Sequence, residues 1–326
     1  MIKPSVSIIL PIHQESSYIS RVISAVGQQT YQNFELIIVD SSINGLNKLP
    51  QTDFPSEKIK IVNSKQSYPG AARNEGIKAA RYDFLAFIDL KTIPKNNWLE
   101  DALSQIYNLD CEVLLGRCIS KTENFHQKII KCLTYGSKPF TSLPGTIITR
   151  EALTKSGIFI KSIRAGEDIE WISRLYSLDI NVKTNSSVPL SYFGFPKYFI
   201  QSIKKWYRYS LENSKVNILT FQKVIYFYIF LVGFLYWVYS WNFIYTYGEW
   251  DDSSAFIPNL NSTVWTLIFI AYFLARSVFI PLTKREKLFF ILPLNWLILG
   301  IYGILLDCVK VPGRILGLIR IISSNR

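Results

Sequence analysis

Histidine is almost absent from this chain: His13 and His126 are the only two in 326 residues. They lie far apart in sequence, so neither a histidine metal site nor a histidine-based nucleophilic triad can be argued. Cysteine is scarce as well. Cys111, Cys118, Cys132 and Cys308 show no C-x-x-C spacing. That excludes a zinc motif and a disulfide framework, and leaves apolar fillers suited to a reducing compartment. Internal repeats, low-complexity linkers and blocks of like charge are missing. The opening stretch MIKPSVSIILPIHQE lacks the form of a secretory signal, because its apolar run is short and Pro11 and His13 interrupt it. The N-terminal half is therefore expected to stay in the cytoplasm.

What is present is positive charge and late hydrophobicity. The formal net charge is +12, which suits nucleic acid, anionic lipid or phosphorylated substrates. The apolar residues decide among these, being concentrated after Phe221. A lipid bilayer is the expected partner, and nucleic acid is not. The length holds one soluble domain of ordinary size plus an extension.

In the first half, short apolar runs alternate with helical patterns. Val6–Ile12, Phe34–Val39, Ile59–Val62 and Phe84–Asp89 read as buried strands. A helix capped by Ser16 or Ser17 carries Ile19, Val22, Ile23 and Val26 on one face, and Pro69–Arg81 reads as another. Such spacing predicts an α/β fold with a mostly parallel sheet and right-handed crossovers. Further on come a helix from Asn97, a strand over Glu112–Ile119, and a loop over Lys121–Leu143 with a helix near Gln127–Leu133. A short strand at Thr146–Thr149, a short helix at Arg150–Ser156, a helix from Gly166, and edge strands at Ile180–Lys183 and Val188–Tyr192 close a domain of residues 1–195.

Residues 196–220 then read as a basic, aromatic amphipathic helix. Trp206, Tyr207 and Arg208 are its candidate contacts with a membrane interface; a surface helix packed on its own domain is the plainer alternative. The remaining residues, 221–326, hold three long apolar stretches at Val224–Ile244, Val264–Leu282 and Leu288–Val309. Each is close to the ~20 residues that cross a bilayer. The loop Gly248–Ser262 is acidic and is expected outside, and Lys284, Arg285 and Lys287 inside. Two to three spans follow, in a multi-pass inner-membrane protein. Pro293, Asn295, Gly300 and Gly303 would permit a broken third stretch, which leaves the side of the basic tail open.

Several polar residues fall where chemistry would sit. Asp40 and Asp89 each end a buried run, the position where open α/β sheets meet ligands; Asp40 alone could equally be a turn residue. Arg73 and Asn74 stand in the first turn of a helix, whose N-terminus favours anions, although most arginines sit on solvated faces. Gly70 and Gly76 would allow close backbone approach. Glu167 and Asp168 open another helix, where the dipole favours acids in any case.

Five segments, VSIILPIHQE, FELIIVDSS, PGAARNEGIKAA, YDFLAFIDLKTIPKNNWL and AGEDIEWISRL, resemble family 2 glycosyltransferases in that family's order. The membrane region is similar to that of bacterial envelope polysaccharide transferases. The resemblance implies a GT-A (Rossmann-like) domain ahead of transmembrane helices. It also implies inverting transfer from a nucleotide sugar, a UDP-sugar first, to a polyprenyl-linked or glycan acceptor at the cytoplasmic face. By the same resemblance Pro11, Glu15, Asp40, Arg73, Asn74, Asp89 and Lys91 belong to the nucleotide-sugar site, and Asp40 meets the base. Asp168 is the general base, with Glu167 beside it and Arg174 at the family's spacing. Trp171 stands either in an acceptor channel or in the core.

The family's Asp-x-Asp motif holds Mg²⁺ or Mn²⁺. Here it begins at Asp89, but the second acid is replaced by Lys91. Three outcomes follow in order: an active enzyme in which Lys91 takes over charge from the metal, a metal-dependent enzyme using Asp89, or an inactive relative acting as a membrane scaffold. Gln201 to Trp206 misses the Gln-x-x-Arg-Trp pattern of processive synthases by one residue, favouring transfer of one or a few sugars. A carrier is the remaining class; few ionisable residues, Arg276 and Asp307 foremost, lie in the spans.

Overall fold

The computed structural model describes residues 4–13, 18–43, 45, 54–65, 67–187, 189–225, 228, 231, 260–292 and 294–324. Glu15, the helix-capping Ser16 and Ser17, and nearly all of the first apolar stretch lie outside them. The chain divides into two compact units. One comprises residues 1–124 and 137–196, the other 125–136 and 197–326. The boundary at Pro196 falls beside the expected one. The placement of residues 125–136 in the second unit was not expected.

The first unit is built on one mixed sheet. Its strands are β1 (Val6–Ile12), β2 (Phe34–Asp40), β3 (Ile59–Asn63), β4 (Phe84–Phe87), β5 (Thr92–Ile93), β6 (Val113–Ser120), β7 (Phe140–Thr149), β8 (Val182–Thr184) and β9 (Leu190–Tyr192). They lie in the order β3-β2-β1-β4-β7-β6-β9-β5, with β8 also on β6. Five of the eight pairings are parallel, and β4–β7, β6–β7 and β5–β9 are antiparallel. β9 lies between β6 and β5 rather than at an edge. β7 runs ten residues, much longer than the expected Thr146–Thr149.

Helices cover both faces: α1 (Tyr18–Gly27), α2 (Pro69–Ala79), α3 (Trp98–Asn108), α5 (Arg150–Ser156) and α6 (Glu167–Tyr176). This explains why the strands read as unbroken apolar runs. Ile8, Leu10, Leu36 and Ile38 pack toward Ile19, Val22, Leu99 and Leu103. Their sequence neighbours Ile9, Ile37 and Val39 pack on the other face with Ala72, Phe159 and Trp171. Successive residues serve opposite layers, as the two-residue period of a strand dictates. Trp171 is a core residue, with Phe87 and Phe159 rings 5.9 and 4.8 Å away.

The second unit contains α4 (Phe125–Leu133), α7 (Phe199–Asn213), α8 (Leu260–Leu274), a π-helical stretch (Ala275–Phe279), α9 (Ile280–Thr283), α10 (Leu288–Ile291) and α11 (Asn295–Ser324). Among the described residues, two helical stretches are long and apolar enough to cross a membrane: Thr266–Thr283 and Asn295–Arg320. The last apolar stretch breaks after Ile291 and resumes at Asn295. From there it is one helix through Pro312.

Candidate active site

The carboxyl ends of β1, β2 and β4 share one edge, because these strands are parallel. Asp40 is the last residue of β2, opposite Ile12 of β1 and Asn63 of β3. It is buried, and its Oδ1 accepts the Ser42 backbone N–H at 2.9 Å. The turn role weighed from sequence is therefore real, and it holds the carboxylate rigid at the strand end. Pro11 lies one residue earlier along β1, paired with Val39. His13 reaches back to the Ser41 carbonyl at 3.2 Å.

Asp89 follows β4 by two residues, in a tight turn. Its backbone N–H donates to Thr92 Oγ1, which in turn donates to the Asp89 carbonyl. The side chain is 38% exposed. Its partner comes from α2. Arg73 Nη2 lies 2.7 Å from Asp89 Oδ1, and Nη1 lies 2.7 Å from Glu167 Oε1. The guanidinium is buried and stacks over the Phe159 ring at 5.7 Å. One arginine thus ties a strand end to the start of α6. Gly70 permits this approach, since a Cβ there would stand 2.3 Å from the Ile160 carbonyl and 3.3 Å from Glu167 Cγ. Its closeness serves packing of the protein on itself.

Asn74, expected among the nucleotide contacts, is committed elsewhere. Its amide nitrogen donates to the Phe159 carbonyl at 2.8 Å, and its Oδ1 accepts the Phe159 N–H at 3.0 Å. Trp171 Nε1 donates to the Gly157 carbonyl, and Arg174 donates to the Ser156 and Ile158 carbonyls while gripping Glu170. These side chains pin residues 156–159 against α6. The resemblance marks Asn74 as a nucleotide contact and Arg174 as support for the acidic pair; the backbone they hold cannot be read from sequence.

Gly166 opens α6 with φ of 90°, a left-handed conformation natural to glycine. Glu167 and Asp168 then occupy the first turn, where the helix dipole favours negative charge. Even so, burial raises both carboxyls above their ordinary range, and repulsion from Asp168 adds to the rise at Glu167. Arg73 opposes the shift at both, and it is itself held more firmly protonated by the surrounding acids. One guanidinium faces Asp89, Glu167 and Asp168. Two negative charges remain if all three ionise.

Lys91 does not join this group. Its side chain is exposed, while its carbonyl accepts the Phe193 N–H at 2.8 Å. The cation that reaches Asp89 is Arg73. For a divalent ion these residues offer one strand-end carboxylate, Asp89, whose Oδ1 is taken by Arg73, with a lysine at position 91.

Trp206, Tyr207 and Arg208 lie on α7 in the second unit. Trp206 is half-buried, and Tyr207 and Arg208 are exposed. The buried face of α7 is polar and small, with Ser202, Ser210 and Asn213. Its outward face carries Tyr198, Ile200, Tyr207 and Tyr209, interleaved with Lys204 and Arg208.

A sheet that gathers an arginine and three carboxylates at the carboxyl ends of its strands is the layout of a ligand-binding α/β enzyme domain. The family model of glycosyl transferase family 2 matches residues 7–162. Glu167 and Asp168 follow just beyond the match. Two curated relatives are glycosyltransferases. The Escherichia coli UDP-Glc:alpha-D-GlcNAc-diphosphoundecaprenol beta-1,3-glucosyltransferase WfgD is 32% identical over 34% of this chain and 44% of its own length. Glycosyltransferase AglE of Haloferax volcanii is 26% identical over 52% of this chain and 61% of its own. The chain thus spans about half the length of these relatives. The solved structure of S. aureus TarS 1-349 in complex with UDP-GlcNAc is 17% identical, with a TM-score of 0.46, over 66% of this chain and 68% of that one.

Proposed function

We propose that this chain is an inverting glycosyltransferase that moves a sugar from a nucleotide-sugar donor, a UDP-sugar first, to a lipid-linked or glycan acceptor at the cytoplasmic face of the membrane. The observation that carries this reading is the cluster of Arg73, Asp89, Glu167 and Asp168 at the strand ends, beside the buried Asp40. Asp40 and Pro11 form the edge that receives the nucleoside. Asp168 takes the proton from the acceptor hydroxyl as its oxygen bonds to the anomeric carbon. The bond from that carbon to the nucleoside diphosphate breaks on the opposite face, so configuration inverts. A raised carboxyl pKa makes Asp168 a stronger base than an ordinary aspartate. Glu167 and Asp89 hold Arg73, and Arg73 fixes the distance between strand end and helix.

Membrane placement is supported by the two apolar helices and by the outward aromatic and basic face of α7. The presence of Lys284, Arg285 and Lys287 after the first of these helices favours that end inside. Arg73 on Asp89 and a lysine in place of the motif's second acid support an enzyme weakly dependent on Mg²⁺ or Mn²⁺, so the reading predicts transfer that survives chelation. Membranes containing the full chain, given radiolabelled nucleotide sugars with and without excess EDTA, test it. One donor should label the lipid or glycan fraction equally in both. Complete loss in EDTA, restored by Mn²⁺, would overturn the metal-independent part, and no transfer from any nucleotide sugar would overturn the whole.

A further inference from the structure

A second charged cluster lies within the helical unit, and the transfer chemistry makes no use of it. Arg276 sits in the π-helical stretch Ala275–Phe279 and is 8% exposed. Its Nε is 2.8 Å from Asp307 Oδ2 and its Nη2 donates to Oδ1 at 3.3 Å. Lys310, one turn along α11, is 3.1 Å from the same carboxylate. Tyr272 also donates to Asp307, at 2.7 Å. Lys284 completes the group, its ammonium donating to the Leu133 and Thr134 carbonyls. Among the described residues, Asp307 is the carboxylate in ion-pair distance of Arg276 and Lys310. The cluster therefore carries a net charge of about +2 from three cations and one acid.

Such an excess is costly where water is scarce, and an anion relieves it. Three features show that the site is built. The Arg276 Nε hydrogen is buried and makes no hydrogen bond in spite of the nearby carboxylate. Gly303 on α11 clears its path, since a Cβ there would stand 3.1 Å from Arg276 Cβ and 3.2 Å from Nε. The π-helical turn that presents Arg276 is of a kind frequent at functional sites. Burial and the neighbouring cations Arg276 and Lys310 also push the Lys284 ammonium down, to about 8, which an arriving anion would reverse.

We propose that Arg276, Lys284 and Lys310 bind the phosphate or diphosphate group of a lipid, with Asp307 paired to Arg276 and Lys310. Arginine and lysine donors around one point suit a phosphate's oxygens. The proposal rests on the reading that these helices meet the bilayer, and it deepens that reading by giving the acceptor lipid's head group a place. It needs no sugar transfer, so it can fail while the transferase reading stands.

The test uses the full chain in nanodiscs of phosphatidylcholine, titrated with a polyprenyl phosphate, the matching polyprenol and inorganic phosphate, and read by native mass spectrometry. Polyprenyl phosphate is expected to bind at least tenfold tighter than polyprenol. Competition by millimolar inorganic phosphate would assign recognition to the phosphate alone, and its absence would assign it to phosphate and chain together. Lys310→Gln and Lys284→Gln should each weaken binding about tenfold, and Lys310→Arg should restore it. Asp307→Asn should tighten binding, the opposite of what damage to the fold would do. Nucleotide binding by the first unit reports that each variant is folded. Equal binding of polyprenol and polyprenyl phosphate, or lysine variants that bind like the parent while folded, would overturn the proposal.

Discussion

Arg73 carries one positive charge against three carboxylates, and its two fork nitrogens are spent on Asp89 and Glu167. Its buried surroundings make the arrangement sensitive. Removing one member of a buried pair costs about 3–5 kcal/mol, so Arg73→Met should lower the unfolding free energy by that order. The same charge opposes the upward shift of Asp168. The sign follows directly. A base must be deprotonated to act, so activity falls as pH drops through its pKa. The acid limb of kcat/KM should lie above the ordinary aspartate value of about 4, and Arg73→Met should move it higher still. A pH profile of transfer checks this; a limb that stays at about 4 in both proteins would remove Arg73 from control of the base. Asp40 belongs to the same scale: its hydrogen bond to Ser42 fixes its carboxylate before any ligand arrives.

Among elements, α2 shows how packing decides against propensity. Glycine inside a helix usually costs about 1 kcal/mol relative to alanine. Gly76 is an exception, because a Cβ there would lie 2.5 Å from Ile9 Cγ2 and 3.0 Å from Val39 Cγ2 in the closed core. Gly76→Ala should therefore destabilise the chain, by about 1–3 kcal/mol for overpacking; a rise in Tm would show that the helix sits less tightly on β1 and β2. The elements themselves were largely legible. β1, β2 and β4 read as strands because both faces are covered, and α1 buries the four apolar residues its period picks out. Pro144 and Gly145 interrupt the apolar pattern of β7, yet its pairing with β6 continues past a register shift. The salt bridge from Arg73 to Glu167 spans 94 residues, and nothing local announces it. Lys91 was the conspicuous departure in sequence, but the turn at Thr92 leaves its side chain exposed.

At the scale of the whole molecule, the division into two units is only partly sequential. α4 leaves the first unit and belongs to the second, where Lys131 lies 3.4 Å from Glu286 and His126 is 3.0 Å from Ser202. Composition could not show this, because α4 is an ordinary amphipathic helix whose partners come from later in the chain. A chain cut at Pro196 would leave Ile129, Ile130, Cys132 and Leu133 of α4 without the unit they are buried in. Activity is therefore best measured on the full chain. The central claim is that Asp168, within its cluster at the strand ends, is the base for glycosyl transfer from a nucleotide sugar. Its most direct test compares the full chain with Asp168→Asn in membranes, following transfer of labelled sugar from the preferred donor. The account predicts a loss of at least about 10²–10⁴-fold in kcat with nucleotide binding retained. Transfer by Asp168→Asn at the parent rate would contradict it.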